Sequence, residues 1–346
     1  MLLKRLTEAM GPSGFEDEVR GILREEVSPY VDAIYTDVLG TLICEKGRSQ
    51  PGPCVMLDAH MDEVGLMVVG VENSGLLRFR PLGGVDPRIL VAKRVRVGSS
   101  KLPGVIGSKP IHLQKPDEQK HPIPEDELFI DIGAKDKEDA LANVQLGDVA
   151  VFDTLFDTIG DGCVKAKSFD DRVGCYILSE ILKKFYAVPL VGAFTVQEEV
   201  GLRGATAAAH RIAPDIAIAL EATVCFDGPF VPSHSEGTRL HGGPALTVQD
   251  GRTVADVRFL RFMMETATKH NIPYQLRRVK GGSNDFAAIQ KSREGVVGGA
   301  ISIPLRYMHA PAQIVSSKDV ENAIRLVDAI LQEIASGNWV EERFAN

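Results

Sequence analysis

Three features are scarce in this sequence: paired cysteines, aromatic residues and long apolar runs. The five cysteines are separated along the chain and none belongs to a Cys-x-x-Cys pair, which excludes a disulfide framework and a cysteine-ligated zinc finger. No run approaches the roughly 18 apolar residues that a membrane-spanning helix needs. The first residues lack the apolar core of a signal peptide, so we expect a cytoplasmic protein with no membrane partner.

An excess of positive charge is also missing. The 346 residues include 39 lysines and arginines against 47 aspartates and glutamates, which gives a formal net charge of −8. Such a chain presents no basic field to attract phosphate groups, so we expect no nucleic acid partner. Its 44% content of hydrophobic residues is enough for the core of one or two globular domains.

The sequence opens with a helical region. Helices are predicted over residues 2–10 and 15–30, and Gly11-Pro12-Ser13-Gly14 between them turns the chain. A hairpin-like stretch follows. An apolar strand over residues 54–57 then runs directly into Asp58-Ala59-His60-Met61-Asp62-Glu63. In open α/β sheets, the residues that bind ligands and catalyse reactions lie at the carboxyl ends of the strands.

Residues 66–162 have a different pattern. Short runs rich in valine and isoleucine are separated by glycine and proline, at residues 66–71, 76–80, 91–97, 105–106, 128–132 and 149–152. With no long amphipathic helix between them, these runs predict a small β domain. The proline-rich stretch 110–127 predicts an exposed loop within this domain.

Helices and strands alternate after residue 162. Predicted helices cover residues 171–186, 202–212, 254–270 and 318–335, and predicted strands cover residues 190–196, 216–220, 274–279 and 296–303. This alternation is typical of an α/β fold with a mainly parallel sheet sandwiched by helices. We therefore predict a catalytic α/β domain from residues 1–65 and 163–346, interrupted by an inserted β domain at residues 66–162.

Histidines and acids cluster at the ends of the predicted strands, which suggests a metal site. Asp58, His60, Asp62 and Glu63 follow the first of these strands, and so many ionisable groups beside a buried strand need a compensating cation. A lone histidine in this position would more often be structural. In the His-x-Asp pair, however, the Asp62 carboxylate could orient the His60 imidazole.

Two adjacent acids precede the helix that is predicted from residue 171. Asp170 or Asp171 alone would be interpreted as a cap for that helix. Because there are two, one remains free to face a metal. An aspartate can also bridge two cations through its two oxygens.

Glu198 and Glu199 follow a strand that ends near residue 196. Consecutive residues of a regular strand point to opposite faces, so both can reach one site only where the chain leaves the strand. Glu221 follows the next apolar strand, and His309 lies in a loop after the strand that ends at residue 303. Ser283-Asn284-Asp285 is interpreted as a helix cap.

The motifs resemble metallopeptidase family 42, the group of the glutamyl, deblocking and tetrahedral (TET) aminopeptidases. Six stretches carry the resemblance in the same order along nearly the whole chain: AHMDEVG at 59–65, GVIGSKPIH at 104–112, IDIG at 130–133, FDDRVG at 169–174, QEEVG at 197–201 and IPLRYMH at 303–309. The resemblance implies a dinuclear zinc aminopeptidase type of α/β fold with an inserted small β-barrel. It also implies peptide substrates and self-association through the insertion, from dimers to dodecamers.

The same resemblance implies the roles of individual residues. One divalent metal ion would be held by His60, Asp170 and Glu221, and the other by Asp170, Glu199 and His309. Zinc and cobalt both suit such ligands. Glu198 would be the general base, and Asp62 would support His60. The family often has aspartate where this chain has Glu221, a difference that bears on metal spacing or substrate preference.

Three other functions remain alternatives at this stage. Relatives of the family have been described as endoglucanases, but sugar sites generally use aromatic platforms and this chain has one tryptophan, Trp339. A deacylase or carboxypeptidase would apply the same amide hydrolysis to another substrate. A metal-binding scaffold without activity would have no use for the base that Glu198 provides.

Overall fold

The computed structural model describes residues 1–229, 231, 237–278 and 281–339, and its strands form one open sheet and one closed barrel. In the described residues the open sheet has eleven strands: β1 (Ala33–Thr36), β2 (Leu42–Lys46), β3 (Val55–His60), β10 (Asp157–Ile159), β11 (Cys163–Ala166), β12 (Leu190–Thr195), β13 (Ile216–Val224), β14 (Ala245–Thr247), β15 (Gln275–Arg277), β16 (Val297–Arg306) and β17 (Gln313–Ser316). The barrel consists of β4 (Gly65–Val71), β5 (Leu77–Leu82), β6 (Arg94–Val97), β7 (Leu102–Gly107), β8 (Phe129–Asp131) and β9 (Val149–Phe152).

The α-helices are distributed along the whole described chain. They are α1 (Leu2–Glu8), α2 (Asp17–Val27), α3 (Lys137–Asn143), α4 (Phe169–Leu182), α5 (Arg203–Ile212), α6 (Val257–Lys269), α7 (Phe286–Ile289) and α8 (Ser317–Ala335). None of the helices in this part of the chain is long and apolar enough to cross a membrane.

The open sheet is parallel in its centre and antiparallel at its flanks. Its order is β1-β2-β12-β3-β13-β16-β17-β11-β10, with β14 and β15 attached to β16. The neighbours β12, β3, β13 and β16 pair in parallel, as do the short strands β14 and β15. The flanking pairs β1–β2, β10–β11 and β16–β17 are each joined by a short connection, which imposes antiparallel pairing. The predicted α/β fold with an inserted barrel is confirmed. Fewer strands pair in parallel than the sequence suggested.

The central strands present different side chains to the two faces of the sheet. On β13, Ile216, Ile218 and Leu220 pack into the core under α1, α2, α4, α6 and α8. Ala217 and Ala219 point the other way, into the core under α5 and α7. This alternation follows from the two-residue period of a strand, and it explains why helices cover both faces.

The barrel has a separate core of aliphatic side chains, among them Leu66, Val68, Leu77 and Ile130. Its strands pair in the order β4-β5-β8-β7-β6-β9. The insertion was expected to extend to residue 162, but the last barrel strand ends at Phe152 and β10 pairs with β11 in the open sheet. Helix α3, which spans seven residues, was too short to be recognised from the sequence.

Several elements differ in extent from the sequence prediction. The strand expected to end at residue 220 continues to Val224, and the one expected to end at residue 303 continues to Arg306. Pro304 therefore lies inside β16, at a position with which neither β14 nor β17 pairs and where its missing N–H is tolerated. The helix expected over residues 15–30 spans Asp17–Val27. The strand expected over residues 274–279 corresponds to β15, and Val279 lies outside the described residues.

Candidate metal centre

A cavity of about 760 Å³ opens where β3, β12 and β13 approach their carboxyl ends. Six of the residues singled out in the sequence line this cavity: His60, Asp170, Glu198, Glu199, Glu221 and His309. The seventh, Asp62, is fully buried beside His60. Residues separated by almost 250 positions in the chain thus meet in one place.

His60, the last residue of β3, turns its two ring nitrogens to different partners. Nδ1 lies 3.1 Å from the backbone oxygen of Asp62 and 3.5 Å from its carboxylate. Nε2 lies 3.3 Å from Asp170 Oδ1 and 3.8 Å from Glu221 Oε2. A carbonyl oxygen can only accept a hydrogen bond, so we place the ring proton on Nδ1, which donates to the Asp62 oxygen. The Nε2 lone pair then faces two carboxylates, an arrangement that requires a cation or a second proton between them.

His309 repeats this arrangement with a different set of partners. Its Nδ1 lies 2.8 Å from the backbone oxygen of Gly84, which follows the barrel strand β5. Its Nε2 lies 3.3 Å from Asp170 Oδ2 and 3.2 Å from Glu199 Oε1. The neighbouring Gly83 has φ +86°, and a Cβ there would lie 3.1 Å from the Glu199 side chain. Glycine therefore lets the barrel backbone approach the site.

Asp170 is the residue that the two histidines share. One of its carboxylate oxygens faces His60 and the other faces His309. The backbone at Asp170 and Asp171 is not helical, although both lie at the start of α4. The Asp171 carboxylate accepts a hydrogen bond from the N–H of Gly174, which is the capping role. Asp170 is left free to face the cavity.

The spacing of these atoms fits metal coordination. Two ligand atoms held about 2.1 Å from one ion at a tetrahedral angle are about 3.4 Å apart, close to the histidine–carboxylate separations here. In the described residues three groups of three potential ligand atoms lie within 4.8 Å of one another, and two of these groups contain a histidine: Asp170 with Glu199 and His309, and His60 with Asp171 and Glu221. The group with His60 includes Asp171, whereas the ligand predicted from the sequence at this position is Asp170.

The electrostatics of the cavity favour a bound cation. Burial raises the pKa of Glu198 and Glu221 well above the usual range, and nearby carboxylates, including Asp285, raise it further. Burial alone would lower the pKa of His309, but its hydrogen bonds with Asp170 and Glu199 outweigh that effect and raise it to about 11. An excess of buried carboxyl groups therefore holds protons or metal ions tightly.

Asp62 brings the two glutamates into the site. Its carboxylate accepts hydrogen bonds from the backbone N–H of Glu198 (3.0 Å) and of Glu199 (3.2 Å). The chain leaves β12 after Thr195, and Gln197 adopts a φ of +57°. This departure from the strand explains how two consecutive side chains reach the same cavity.

Two buried acids next to the site were not assigned from the sequence. Asp285 donates its backbone N–H to Glu221 Oε1 (3.0 Å), and its carboxylate accepts the Thr195 hydroxyl (2.7 Å). Asp58 is fully buried within 4.8 Å of the Glu221 and Asp285 ligand atoms.

The helix-cap interpretation of residues 283–285 fits Asn284, whose side chain accepts a hydrogen bond from the backbone N–H of Phe286. It does not fit Asp285, whose side chain makes no cap hydrogen bond. Asp58 carried a signal, since it shares a strand face with His60.

Comparison with known proteins gives a consistent result. Residues 40–326 match the family model described as M42 glutamyl aminopeptidase. A protein of Acetivibrio thermocellus classed with the aminopeptidases is 39% identical, covering 95% of this chain and 97% of its own. The crystal structure of a TET aminopeptidase from the marine sediment archaeon Thaumarchaeota archaeon SCGC AB-539-E09 superimposes with a TM-score of 0.93 at 36% identity, covering 97% of each chain. The TET1 peptidase of Pyrococcus horikoshii, which can assemble into a tetrahedron or a large octahedral shell, superimposes with a TM-score of 0.86 at 34% identity, covering 96% of this chain and 98% of its own.

Proposed function

Because this chain belongs to the M42 glutamyl aminopeptidase family, we propose that it is an aminopeptidase that removes N-terminal residues from peptides with the help of two divalent metal ions. The observation that carries this proposal is the position of Asp170. Its two carboxylate oxygens each lie 3.3 Å from the Nε2 atom of a different histidine. A carboxylate placed in this way is suited to bridge two cations.

The ligand sets follow from these contacts and from the family. His60, Asp170 and Glu221 would hold one ion, and Asp170, Glu199 and His309 the other. Imidazole and carboxylate ligands suit zinc and cobalt. Two such ions, when bound, lower the pKa of a shared water to about 7 and polarise the scissile carbonyl. Asp62 and the backbone oxygen of Gly84 fix the proton on Nδ1 of the two histidines, which leaves both Nε2 atoms free to bind.

Glu198 is the group that we assign as general base. It lines the cavity beside the ligand residues, and its backbone is held by Asp62. Burial raises the pKa of Glu198 above that of an exposed carboxyl group, which is the direction that makes a carboxylate a stronger base. In this role its carboxylate takes a proton from the attacking water and passes it to the leaving amine.

The geometry gives less support to a glycosidase. That reaction needs one protonated and one ionised carboxyl group flanking the sugar. Here Asp170, Glu199 and Glu221 are directed at imidazole nitrogens, as ligands of a shared metal are. A deacylase with the same centre would differ in its substrate and not in its chemistry.

Two variants of neighbouring residues test the assignment. Glu198→Gln keeps the shape of the side chain but removes the proton acceptor, so metal content should persist while kcat falls about 10²–10⁴-fold. Glu199→Gln should instead weaken binding of one ion. Metal analysis of both purified variants, with hydrolysis of aminoacyl-p-nitroanilides, provides the measurement. Near-normal activity of Glu198→Gln contradicts the mechanism, and loss of metal from Glu198→Gln alone reverses the two roles.

The same proposal extends to the organisation of the chain. Residues 1–65 and 163–346, together with β10, would form the catalytic unit, and the barrel within the insertion at 66–162 would mediate self-association in the cytoplasm. The assembly of the similar TET1 peptidase of Pyrococcus horikoshii into closed particles supports this proposal.

A further inference from the structure

The segment between α1 and α2 lies against the turn that carries Glu198 and Glu199. The name "N-terminal turn" is used for residues 11–16, and "glutamate turn" for residues 197–201. The N-terminal turn contributes none of the residues that line the cavity among those described. It nevertheless holds two buried polar side chains, Ser13 and Glu16, which are 5% and 3% exposed.

Ser13 acts on the glutamate turn through Asp62. The Ser13 hydroxyl donates a hydrogen bond of 2.6 Å to Asp62 Oδ2. The two oxygens of the same carboxylate accept the backbone N–H groups of Glu198 and Glu199. Ser13 therefore limits the rotation of the carboxylate on which both of these N–H groups depend.

Glu16 acts on the glutamate turn directly. Its Oε1 atom accepts the backbone N–H of Gln197 at 3.2 Å and that of Gly14 at 2.7 Å. Three consecutive N–H groups, those of residues 197 to 199, thus donate to two buried carboxylates. Gln197 needs this support, because a non-glycine residue at φ +57° is in a conformation that is rarely adopted.

The N-terminal turn is itself attached to the end of β3. Gly11 donates its N–H to Glu63 Oε1 (3.2 Å), and the Glu63 N–H donates to the Gly11 oxygen (3.1 Å). A turn that is fixed in this way can transmit its position to the groups it contacts. If a catalytic side chain on the glutamate turn is displaced by about 1 Å, the reaction rate can fall by about 10²-fold.

We propose that Ser13 and Glu16 are positioning residues, which set the direction of the Glu198 and Glu199 side chains by fixing the N–H groups of the glutamate turn. The inference rests on the proposed function, since it takes Glu198 as the base and Glu199 as a ligand of one ion. It predicts a selective effect. The ion held by Glu199 and His309 depends on the glutamate turn, and the ion held by His60 and Glu221 does not.

The test uses Ser13→Ala and Glu16→Met in the 346-residue chain, because methionine has no oxygen to accept the two N–H groups. In each variant kcat should fall about 10- to 100-fold, and the affinity for one of the two zinc ions should fall by a similar factor, while KM and the affinity for the other ion change less than about twofold. Zinc affinities are measured by competition with a fluorescent chelator, independently of activity. Ser13→Thr retains the hydroxyl and should recover most of both losses.

Ser179→Ala is the matched control. Ser179 is also buried, and its hydroxyl donates to the Cys175 oxygen at 2.8 Å inside α4. It should lower the melting temperature as Ser13→Ala does and leave kcat and both zinc affinities unchanged. If Ser13→Ala does not fold, Glu16→Met, whose side chain is nearly the same size as that of glutamate, carries the test.

Two outcomes are decisive. Variants that melt at a lower temperature but keep kcat and both zinc affinities overturn the positioning role and leave a structural one. A wild-type protein that binds zinc but hydrolyses no aminoacyl substrate contradicts the proposed function instead. In that case the zinc affinities still report whether the N-terminal turn positions Glu199.

Discussion

Two arginines, Arg252 and Arg277, line the same cavity as the acids. The Arg277 side chain is 8% exposed, and it donates from Nε to the Thr223 hydroxyl at 2.9 Å. Its other contacts are longer, 3.3 Å to the Gly281 oxygen and 3.4 Å to Asp250 Oδ2. A guanidinium has five N–H donors, so this one retains capacity for a further acceptor.

The position of Arg277 matches the reach of one substrate side chain. Thr223 lies two residues after Glu221 on the same strand and face, which separates them by about 6.6 Å. Among the described residues that line the cavity, four are acids, and two divalent ions would balance their charges. Asp250 offsets the charge of Arg277, but the charge of Arg252 and the remaining N–H donors of Arg277 would favour a substrate with a carboxylate.

At this scale we predict a preference for an acidic N-terminal residue. Arg277→Met should lower kcat/KM for glutamyl-p-nitroanilide about 10- to 100-fold, the range expected for loss of a hydrogen bond to a charged group. The neutral glutaminyl substrate should change little. Arg278→Met, at an exposed neighbour that lines a different cavity, is the control. Equal losses for both substrates would mean that Arg277 supports the fold and does not select the substrate.

The site residues could be predicted from the sequence only in part, and the reason is physical. His60 and the acids at 170, 198 and 199 stand next to apolar strands, where their charge is conspicuous. Ser13 and Gly84 have no such signal, because their contacts depend on chain segments that meet only in the folded protein. Asp285 follows two glycines and is adjacent to a short helix, a context in which a cap is the ordinary interpretation.

At the scale of elements, a buried ion cluster joins α1, the end of β3 and the start of α4. Lys167 donates to both oxygens of Glu63, at 2.6 and 2.8 Å, and to the Ala9 oxygen at 2.7 Å. Arg172, which is fully buried, contacts Glu63 at 3.2 Å and donates to the Met61 oxygen. The cluster fixes the segments on both sides of the inserted barrel.

Removal of the Glu63 charge should be strongly destabilising. Burial lowers the pKa of Lys167 to about 8, so this group can lose its proton when its partner is removed, whereas Arg172 cannot. We expect Glu63→Gln to reduce the free energy of unfolding by about 3–5 kcal/mol. Guanidinium titration of the metal-loaded protein measures the change.

The control for this prediction is an exposed ion pair of similar length. Glu321 lies 2.9 Å from Lys318 on α8, with both side chains mostly in solvent. Glu321→Gln should change the free energy of unfolding by at most about 1 kcal/mol. Similar effects of the two substitutions would show that the buried cluster contributes no more than a surface pair.

The extents of the elements were harder to predict than their types. The sequence indicates where β13 and β16 are apolar, but both strands continue beyond the apolar run because each pairs with the other as far as Val224 and Leu305. Pairing of this kind depends on the partner strand and not on local composition. The edge strand β10 and the flanking strand β17 are short and mixed in composition, and they were not recognised for the same reason.

At the scale of the whole molecule, exposed apolar side chains on the barrel are candidates for contact between copies. Ile111 and Leu113, in the loop after β7, are 69% and 61% exposed, and Val105 on the same strand is 46% exposed. Side chains of this size in solvent are common individually, but a group of them often marks an interface. Their position supports the proposed role of the insertion.

We predict that the double variant Ile111→Lys, Leu113→Lys forms smaller assemblies than the wild type. The free-energy cost of burying two lysine charges at an interface exceeds the stabilisation that the two apolar side chains contribute there. Sedimentation velocity at micromolar concentration measures the mass. Phe185→Lys, at a 75% exposed position after α4 in the catalytic unit, should leave the mass unchanged. An unchanged mass for the barrel variant, or a wild type that is monomeric and fully active, argues against the role of the barrel in assembly.

The candidate site draws on both ends of the chain, with Ser13 near the start and His309 close to α8. A ribosome that synthesises the protein releases His309 only after the barrel and ten of the eleven described strands of the open sheet have emerged, since chains leave in N- to C-terminal order. A nascent chain that stops before residue 309 therefore lacks one of the proposed metal ligands. The order of translation thus delays assembly of the candidate metal site until all but the last strand of the described sheet has been made.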